Sequence, residues 1–144
     1  MDAIVVGTDG SPDAEAAVQK VVEMAGEAGK ARPTVHLVCA YPGKSALERI
    51  GLTAKQDPVD MRGVAADVLA RAERRLVEAG FTVEKSAREG DPARTIIEVA
   101  KENGAGMIVV GAHGTAGDKQ FHIGSVASKL SHHAPTSLLI VRED

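Results

Sequence analysis

The stretch that decides the fold runs over residues 107–126 and reads MIVVGAHGTAGDKQFHIGSV. A short apolar run ends in Gly111, Gly114 follows after two residues, and a nine-residue loop leads to Gly124-Ser125, where a helical pattern resumes. Glycines let backbone N–H groups approach a phosphate, and a helix start adds unpaired donors and a favourable dipole. The stretch therefore predicts an anion site, with an ordinary strand-to-helix connection as the alternative.

Apolar runs alternate with helical patterns along the rest of the chain. Short aliphatic runs predict five strands, at residues 3–7, 35–41, 81–87, 107–110 and 137–142. Helical patterns fill the intervals after Ser11, over residues 59–79, after Asp91 and over residues 125–132. This order predicts an α/β fold, a doubly wound parallel sheet covered on both faces in three layers, within one domain of residues 1–144.

Two of the helix starts carry a strong signal, in which an N-cap residue precedes a proline. Ser11 precedes Pro12, and Asp91 precedes Pro92. Ser125 is predicted as a possible cap of the last helix, and its hydroxyl could also bind a phosphate. The inner face of the helix over residues 59–79 is predicted to contain Val64, Val68, Leu69, Ala72 and Leu76.

Composition limits the classes of partner. The 144-residue chain has a formal net charge of -3, two Phe, one Tyr and no Trp, which argues against general nucleic-acid binding and against base-stacking surfaces. No apolar run approaches the ~18–20 residues that cross a bilayer, and no signal segment opens the chain. The sequence therefore predicts a cytoplasmic protein with no membrane and no nucleic-acid partner.

Catalytic and metal signatures are missing from the sequence. Cys39 is the single cysteine and lies in an apolar run, so a buried inert thiol is predicted over a reactive one. The histidines lack a metal-ligand spacing with acids, no Gly-x-Ser-x-Gly elbow occurs, and no Gly-x-Gly-x-x-Gly follows the first strand. We therefore predict no catalytic residue and no resident metal, and an oxidoreductase is disfavoured.

The carboxyl ends of strands one and four offer candidate ligand residues. In parallel sheets, ligands bind there, near the switch in strand order. Asp9 follows strand one and could accept hydrogen bonds from a ribose or an adenine, whereas the alternative is a turn aspartate that bonds nearby backbone. His113 could donate to a phosphate or be an exposed loop residue. Since the sequence reveals no partner for it, His113 is not predicted to be a catalytic base.

These residues resemble one known family. Gly111-x-x-Gly114, nine residues and then Gly124-Ser125 match the Gly-2x-Gly-9x-Gly-(Ser/Thr) motif of the universal stress protein family at every fixed position. Residues 4–11 look like that family's opening strand and turn, and residues 131–142 look like its closing segment. The resemblance spans nearly the whole chain except the irregular residues 43–58, a segment that is long for a connection.

The resemblance implies a Rossmann-like sheet of five parallel strands in the order 3-2-1-4-5 and a homodimer through the C-terminal strand. It also implies a stress-response protein that binds ATP or another adenine nucleotide, alone or with Mg²⁺. On the family pattern, Asp9 would contact the adenosine, Ala40 the base, and the glycine motif the triphosphate. The implied cofactor-binding residues are Gly7, Thr8, Asp9, Ala40, Val110, Gly111, His113, Gly114, Thr115, Gly124, Ser125 and Val126.

Two positions depart from the family pattern. Thr115 stands where many ATP-binding relatives carry a basic residue, and Asp118 adds negative charge to the phosphate loop unless Lys119 or a metal offsets it. AMP, cyclic AMP or another anion are therefore alternatives to ATP. A nucleotide-binding regulatory protein is the leading interpretation, ahead of a slow ATP-hydrolysing enzyme and of a dimerisation module without a nucleotide.

Overall fold

Aliphatic strands and amphipathic helices alternate in the order that the sequence predicts. The computed structural model describes residues 1–25, 31–43, 49, 51, 60–114 and 123–143. Within those residues, five strands and four helices follow one another. They are β1 (Ala3–Gly7), α1 (Pro12–Met24), β2 (Thr34–Tyr41), α2 (Met61–Glu78), β3 (Val83–Glu89), α3 (Pro92–Glu102), β4 (Met107–Gly111), α4 (Ser125–His133) and β5 (Ser137–Val141).

The five strands form one parallel sheet in the order β3-β2-β1-β4-β5, which confirms the predicted fold class and strand order. The strand order reverses between β1 and β4, which pair directly, with Ile4 opposite Met107 and Val6 opposite Val109. Their carboxyl ends, Gly7 and Gly111, therefore lie side by side. This is the position at which open parallel sheets bind their ligands.

The sheet is covered on both faces, so its central strands are buried on both sides. Ile4 and Val6 of β1 pack into one apolar cluster with side chains of α1 and α2. Val5, between them, packs into a second cluster with side chains of α3 and α4. This two-sided burial explains why β1 and β4 read as continuous aliphatic runs, and it fixes both strands firmly beneath the loops that follow them.

Side chains cap three of the described helices. Ser11 accepts a hydrogen bond from the Ala14 N–H at 3.4 Å, and Asp91 accepts one from the Arg94 N–H at 3.0 Å, so both predicted caps are confirmed. Asp60 caps α2 in the same way, because its Oδ1 lies 2.9 Å from the Gly63 amide nitrogen. Each of these helix starts thus has a protein acceptor for one of its free N–H groups.

The predicted cap at Ser125 is wrong. The cap residue of α4 is Gly124, and Ser125 is already the first helical residue, with no side-chain cap hydrogen bond. The Ser128 N–H donates to the Gly124 carbonyl at 2.9 Å, so the helical hydrogen bonding starts one residue earlier than a Ser125 cap would require. The Ser125 hydroxyl is consequently not engaged in capping.

The inner face of α2 and the start of β3 also differ from the prediction. Val64 is 51% exposed, and Ala65 lies on the inner face of α2 in its place, at 2% exposure, whereas the other four predicted residues of that face are buried. The third strand begins at Val83 rather than at Phe81. Phe81 still belongs to the end of α2, since its N–H donates to the Leu76 carbonyl at 3.0 Å, and its ring is buried.

Candidate functional site

A cleft of about 250 Å³ opens at the carboxyl edge of the sheet, above the ends of β1 and β4. Eleven of the twelve sequence-predicted ligand residues line it, and their contact with a nucleotide stays a prediction. Thr115, the twelfth, lies outside the described residues. The eleven are Gly7, Thr8, Asp9, Ala40, Val110, Gly111, His113, Gly114, Gly124, Ser125 and Val126.

Asp9 lies where the turn after β1 meets the loop after β4. Its Oδ1 accepts a hydrogen bond from the Ser11 N–H at 2.9 Å, which is the turn role expected of an aspartate here. Its Oδ2 lies 2.9 Å from the position that a Cβ atom would take at Gly114. The carboxylate therefore stabilises its own turn and borders the cleft at once, so the two interpretations of Asp9 are compatible.

Gly111 allows the end of β4 to approach the start of α1. A Cβ atom at this position would lie 2.6 Å from the Asp13 carbonyl carbon and 2.7 Å from the Ala14 nitrogen, both of them backbone atoms. Backbone atoms cannot yield as the end of a flexible side chain can. The first glycine of the motif is thus required by a close backbone contact, and this contact carries α1 to the edge of the cleft.

The N-terminus of α4 is open toward the cleft. The first amides of a helix have no partner within the helix, and at α4 no side chain of the described residues accepts from them. Ser125, Val126 and Ala127, which carry these amides, all line the cleft. Of the four described helices, α4 is the one without a side-chain cap. An anion in the cleft would supply the missing acceptor and favour the positive helix end.

The carboxylate of Asp13 is hydrogen-bonded to His113, which lies between Gly111 and Gly114. Asp13 Oδ2 accepts from the His113 backbone N–H at 3.1 Å and lies 2.7 Å from His113 Nδ1. Both residues are buried, at 5% and 8% exposure. His113 is therefore an anchored residue that lines the cleft, and the alternative of an exposed loop residue is wrong.

The charge state of Asp13 determines the tautomer of His113. Burial by itself raises the pKa of Asp13, but hydrogen bonds from the Glu143 N–H and from His113, together with the charge of His113, outweigh it and hold that pKa below its ordinary value. An ionised carboxylate can only accept hydrogen bonds, so His113 Nδ1 must donate and must carry a proton. The ring is thereby fixed in one orientation.

The sequence interpretation missed Asp13 as part of this site. Asp13 lies in the first turn of α1, and 100 residues separate it from His113. Other lining residues were missed because they are apolar and belong to elements distant in sequence. They are Ala14, Val38, Pro92, Ile96, Ala112 and Ala127. No local pattern in the sequence connects Asp13 with His113, because their contact depends on the approach of α1 to the end of β4.

The wall on the β2 and α3 side of the cleft is largely apolar. Val38 and Ala40 come from β2, and Pro92 and Ile96 come from α3. Cys39, between the two β2 residues, is buried, and burial together with the nearby charge of Asp9 raises the pKa of its thiol to about 11. The thiol is therefore protonated at neutral pH, which agrees with the predicted inert cysteine.

Some predicted features fall outside the part of the chain that the structure describes. Asp118, Lys119 and most of residues 43–58 are among them. Among the described residues, no group of three or more His, Cys, Asp and Glu side chains is arranged to hold a metal ion. None of the described helices combines the length and the apolar character that crossing a bilayer requires.

Sequence comparison connects the chain with one family. The family described as "Universal stress protein family" matches residues 1–142. The universal stress protein Rv1636 of Mycobacterium tuberculosis is 30% identical over 141 residues, which cover 96% of this chain and 94% of that protein. YxiE of Bacillus subtilis is 39% identical over 75 residues, 52% of this chain and 51% of its own length.

The matched region is shorter than some of these relatives. A universal stress protein of Mycolicibacterium smegmatis is 28% identical over 139 residues, which cover 96% of this chain and 45% of that protein. The chain thus spans about half the length of YxiE and of the Mycolicibacterium protein that it matches.

Structure comparison finds the same fold in proteins of low sequence identity. The hypothetical protein MJ0577 has a TM-score of 0.83 at 22% identity, covering 99% of this chain and 96% of its own. A universal stress protein in complex with cAMP has a TM-score of 0.70 at 24% identity, covering 97% and 96%. An Arabidopsis thaliana family protein with AMP bound has a TM-score of 0.70 at 12% identity, covering 100% and 93%. At these identities the likeness concerns the fold.

Proposed function

Because the chain belongs to the universal stress protein family, we propose that its cleft binds an adenine nucleotide, ATP first among them, and that the protein acts as a stress-response or regulatory module. One observation carries this proposal. The uncapped N-terminus of α4 opens into a cleft that the glycine motif, Asp9 and an apolar wall also line. Phosphate, ribose and base each have a chemically suitable surface in such a cleft.

The orientation of the nucleotide follows from these surfaces. The phosphates are assigned to the amides of Ser125, Val126 and Ala127, because anions bind favourably at helix N-termini. The ribose is assigned to Asp9, whose carboxylate can accept hydrogen bonds from hydroxyl groups. The base is assigned to the apolar wall beside Ala40. Relatives with the same fold that hold cAMP and AMP support an adenine ligand.

Calorimetry with ATP, ADP, AMP and cyclic AMP, each with and without Mg²⁺, tests the ligand class directly. We expect at least one of the four nucleotides to bind. Gly114→Asp places a second carboxylate beside Asp9, since a Cβ atom at Gly114 already lies 2.9 Å from Asp9 Oδ2. We expect this charge to weaken nucleotide binding at least about tenfold, because like charges in one site repel each other and the phosphates.

A matched control separates local repulsion from the effect of net charge. Ala31 is exposed and lies just before β2, at the end of the sheet opposite the cleft. Ala31→Asp adds the same charge and should leave the affinity unchanged. Equal affinities for the wild type and Gly114→Asp would contradict the assignment of the nucleotide phosphates to the loop that contains Gly114. No binding of any nucleotide, and no nucleotide carried through purification, would favour a dimerisation module without a nucleotide.

The assembly and the location of the protein are part of the same proposal. β5 is an edge strand, and its residues Leu138, Leu139 and Ile140 are only half-buried in one chain. An apolar edge can pair with a second copy across a two-fold axis. We therefore propose a homodimer through β5. The cytoplasmic location expected from the sequence stays a prediction.

Slow ATP hydrolysis is the second candidate function, and the Asp13–His113 pair favours it. A histidine held by a buried carboxylate is a common arrangement for proton transfer, and His113 lines the cleft. Steady-state phosphate release from ATP with Mg²⁺ distinguishes the two candidates. Release that His113→Gln abolishes would support an enzyme, whereas tight binding without release would support a regulatory module.

A further inference from the structure

Asp13 joins two segments that lie far apart in sequence. Its Oδ2 accepts from two nitrogen atoms of His113 in the phosphate loop. Its Oδ1 accepts from the backbone N–H of Glu143, immediately beyond β5, at 2.8 Å. Asp13 itself lies in the first turn of α1 and is 5% exposed. One buried carboxylate thus connects the C-terminal end of the described chain with the residue that directly precedes Gly114 in the glycine motif.

The backbone makes a second connection between the same segments. The Ala112 N–H donates to the Val141 carbonyl at 2.8 Å, and the Gly124 N–H donates to the Ala112 carbonyl at 2.7 Å. The residue before His113 is therefore bonded both to the end of β5 and to the cap residue of α4. A shift of the backbone beyond β5 would consequently displace the backbone on both sides of the cleft.

The Asp13 carboxylate can accept hydrogen bonds from both His113 and Glu143 only while both segments are in place. Asp13 is ionised and buried, and Oδ1 has the Glu143 N–H as its described donor, so loss of that donor is costly in a low-dielectric surrounding. Loss of the Glu143 N–H would release the constraint on Oδ1 and allow the carboxylate to rotate. The orientation of His113, which shares the carboxylate through Oδ2, would then be less constrained.

We infer that Asp13 is a positioning residue through which the backbone beyond β5 sets the nucleotide affinity of the cleft. The inference rests on the proposed function, since it concerns regulation of the same site. When the Glu143 N–H is bonded to Asp13, His113 is held in place and the cleft is in its binding form. When that bond is broken, the affinity falls. Nucleotide binding and formation of the bond from Glu143 to Asp13 favour each other equally. Bound nucleotide therefore protects the Glu143 N–H from hydrogen exchange.

Two substitutions at one exposed residue provide the test. Glu143→Pro removes the backbone N–H that donates to Asp13, whereas Glu143→Ala removes the side chain and keeps that N–H. Calorimetry with the nucleotide that the wild type binds most tightly should give a dissociation constant at least about fivefold higher for Glu143→Pro. Glu143→Ala should match the wild type. Equal constants for all three proteins would overturn the inference and leave the proposed function intact.

A second readout needs no nucleotide. In nitrogen-15 NMR of the ligand-free protein, wild type and Glu143→Ala should both show His113 protonated at Nδ1 with slow exchange of that proton. Glu143→Pro should accelerate the exchange. Unchanged exchange in Glu143→Pro would overturn the positioning role of Asp13. Failure of the wild type to bind any nucleotide would overturn the proposed function itself, so the two failures are distinguishable.

Discussion

At the scale of single residues, Asp13 shows how a buried charge can support a binding loop. Its carboxylate is removed from water, which alone would favour the neutral form, yet its hydrogen bonds to Glu143 and His113 keep it ionised. Such a group is stable only while its donors remain in place. His113, which lines the cleft, is therefore anchored by a side chain that is itself almost completely buried.

Replacement of Asp13 by asparagine should destabilise the protein. An asparagine offers one acceptor oxygen and an NH2 group, so it cannot accept from both His113 and Glu143. We expect a loss of about 1–3 kcal/mol in the free energy of unfolding near neutral pH, the usual cost of an unsatisfied buried donor. Urea denaturation measures it. Asp67→Asn on the exposed side of α2 is the control and should change little.

The difference in unfolding free energy between wild type and Asp13→Asn should depend on pH. The pKa of Asp13 is lower in the folded protein than its ordinary value of 3.8, so its ionised form contributes stability in full above that value. The contribution disappears as the pH falls through the lower folded-state pKa. The difference in unfolding free energy between wild type and Asp13→Asn should thus shrink as the pH falls below 3.8. A difference that grows as the pH falls below 3.8 would contradict this account.

Gly111 should not tolerate a methyl group. In Gly111→Ala the new Cβ atom would lie 2.6–2.7 Å from backbone atoms of Asp13 and Ala14, so α1 must move or the strand must bend. We expect a loss of about 1–3 kcal/mol in unfolding free energy, measured by urea denaturation. Gly106→Ala is the matched control, because its Cβ atom would meet only the flexible side chain of Met1. Similar losses in both variants would disprove the close-contact explanation.

For single residues, the sequence predicts the roles of glycines and turn residues better than it predicts which distant side chains form hydrogen bonds. The glycine motif and Asp9 were recognisable because their chemistry is local, in spacing or in position after a strand. The link between Asp13 and His113 was not, because it depends on the approach of α1 to the end of β4. Nothing in a single sequence reports that approach directly.

At the scale of elements, the four described helices differ in which group accepts hydrogen bonds from their first backbone N–H groups. α1, α2 and α3 each use a side chain of their own as an acceptor, whereas α4 begins at a glycine and has no such acceptor. Ser125 and the residues after it line the cleft. The helix that lacks a protein cap is thus the helix to which the phosphates are assigned.

The caps can be compared by alanine substitution in the ligand-free protein. Asp91→Ala removes the acceptor of the Arg94 N–H and should cost about 1 kcal/mol in unfolding free energy. Ser125→Ala removes no cap hydrogen bond and should cost less than about 0.5 kcal/mol. Thermal or urea denaturation measures both. An equal cost for the two substitutions would restore Ser125 as the cap and contradict the open helix start.

The sequence predicted which elements exist more reliably than where they begin. Ser11 and Asp91 were identified as caps because each precedes a proline. Ser125 follows a glycine and lacks that signal, so its register was one residue wrong. Val64 was assigned to the core by spacing alone, although Ala65 fills the position. Boundaries of this kind depend on tertiary packing that a pattern of apolar residues does not specify.

At the scale of the whole molecule, strand order creates the site. β1 and β4 are far apart in sequence but adjacent in the sheet, and their loops meet above the switch point. Alternating strands and helices predicted the parallel sheet from physical pattern alone. The order 3-2-1-4-5 came from the family resemblance, because pattern cannot choose among the possible orders of five parallel strands.

The proposed dimer gives a prediction at this scale. If two copies pair along β5, light scattering at micromolar concentration should give twice the mass of one chain. Ile140→Lys introduces a charge at the half-buried edge and should give the mass of one chain, because charged edges resist pairing. Val64→Lys, at a position that is 51% exposed on α2, should remain dimeric. A wild type with the mass of one chain would refute the dimer.

Amide chemical shifts on titration with ATP test the claim that this cleft binds the nucleotide through the start of α4. We expect the largest shifts at the backbone N–H groups of Ser125, Val126 and Ala127, since these are assigned to the phosphates. Smaller shifts should occur along the wall at Ala40. Shifts confined to another surface, or an unchanged spectrum at saturating ATP, would contradict the claim.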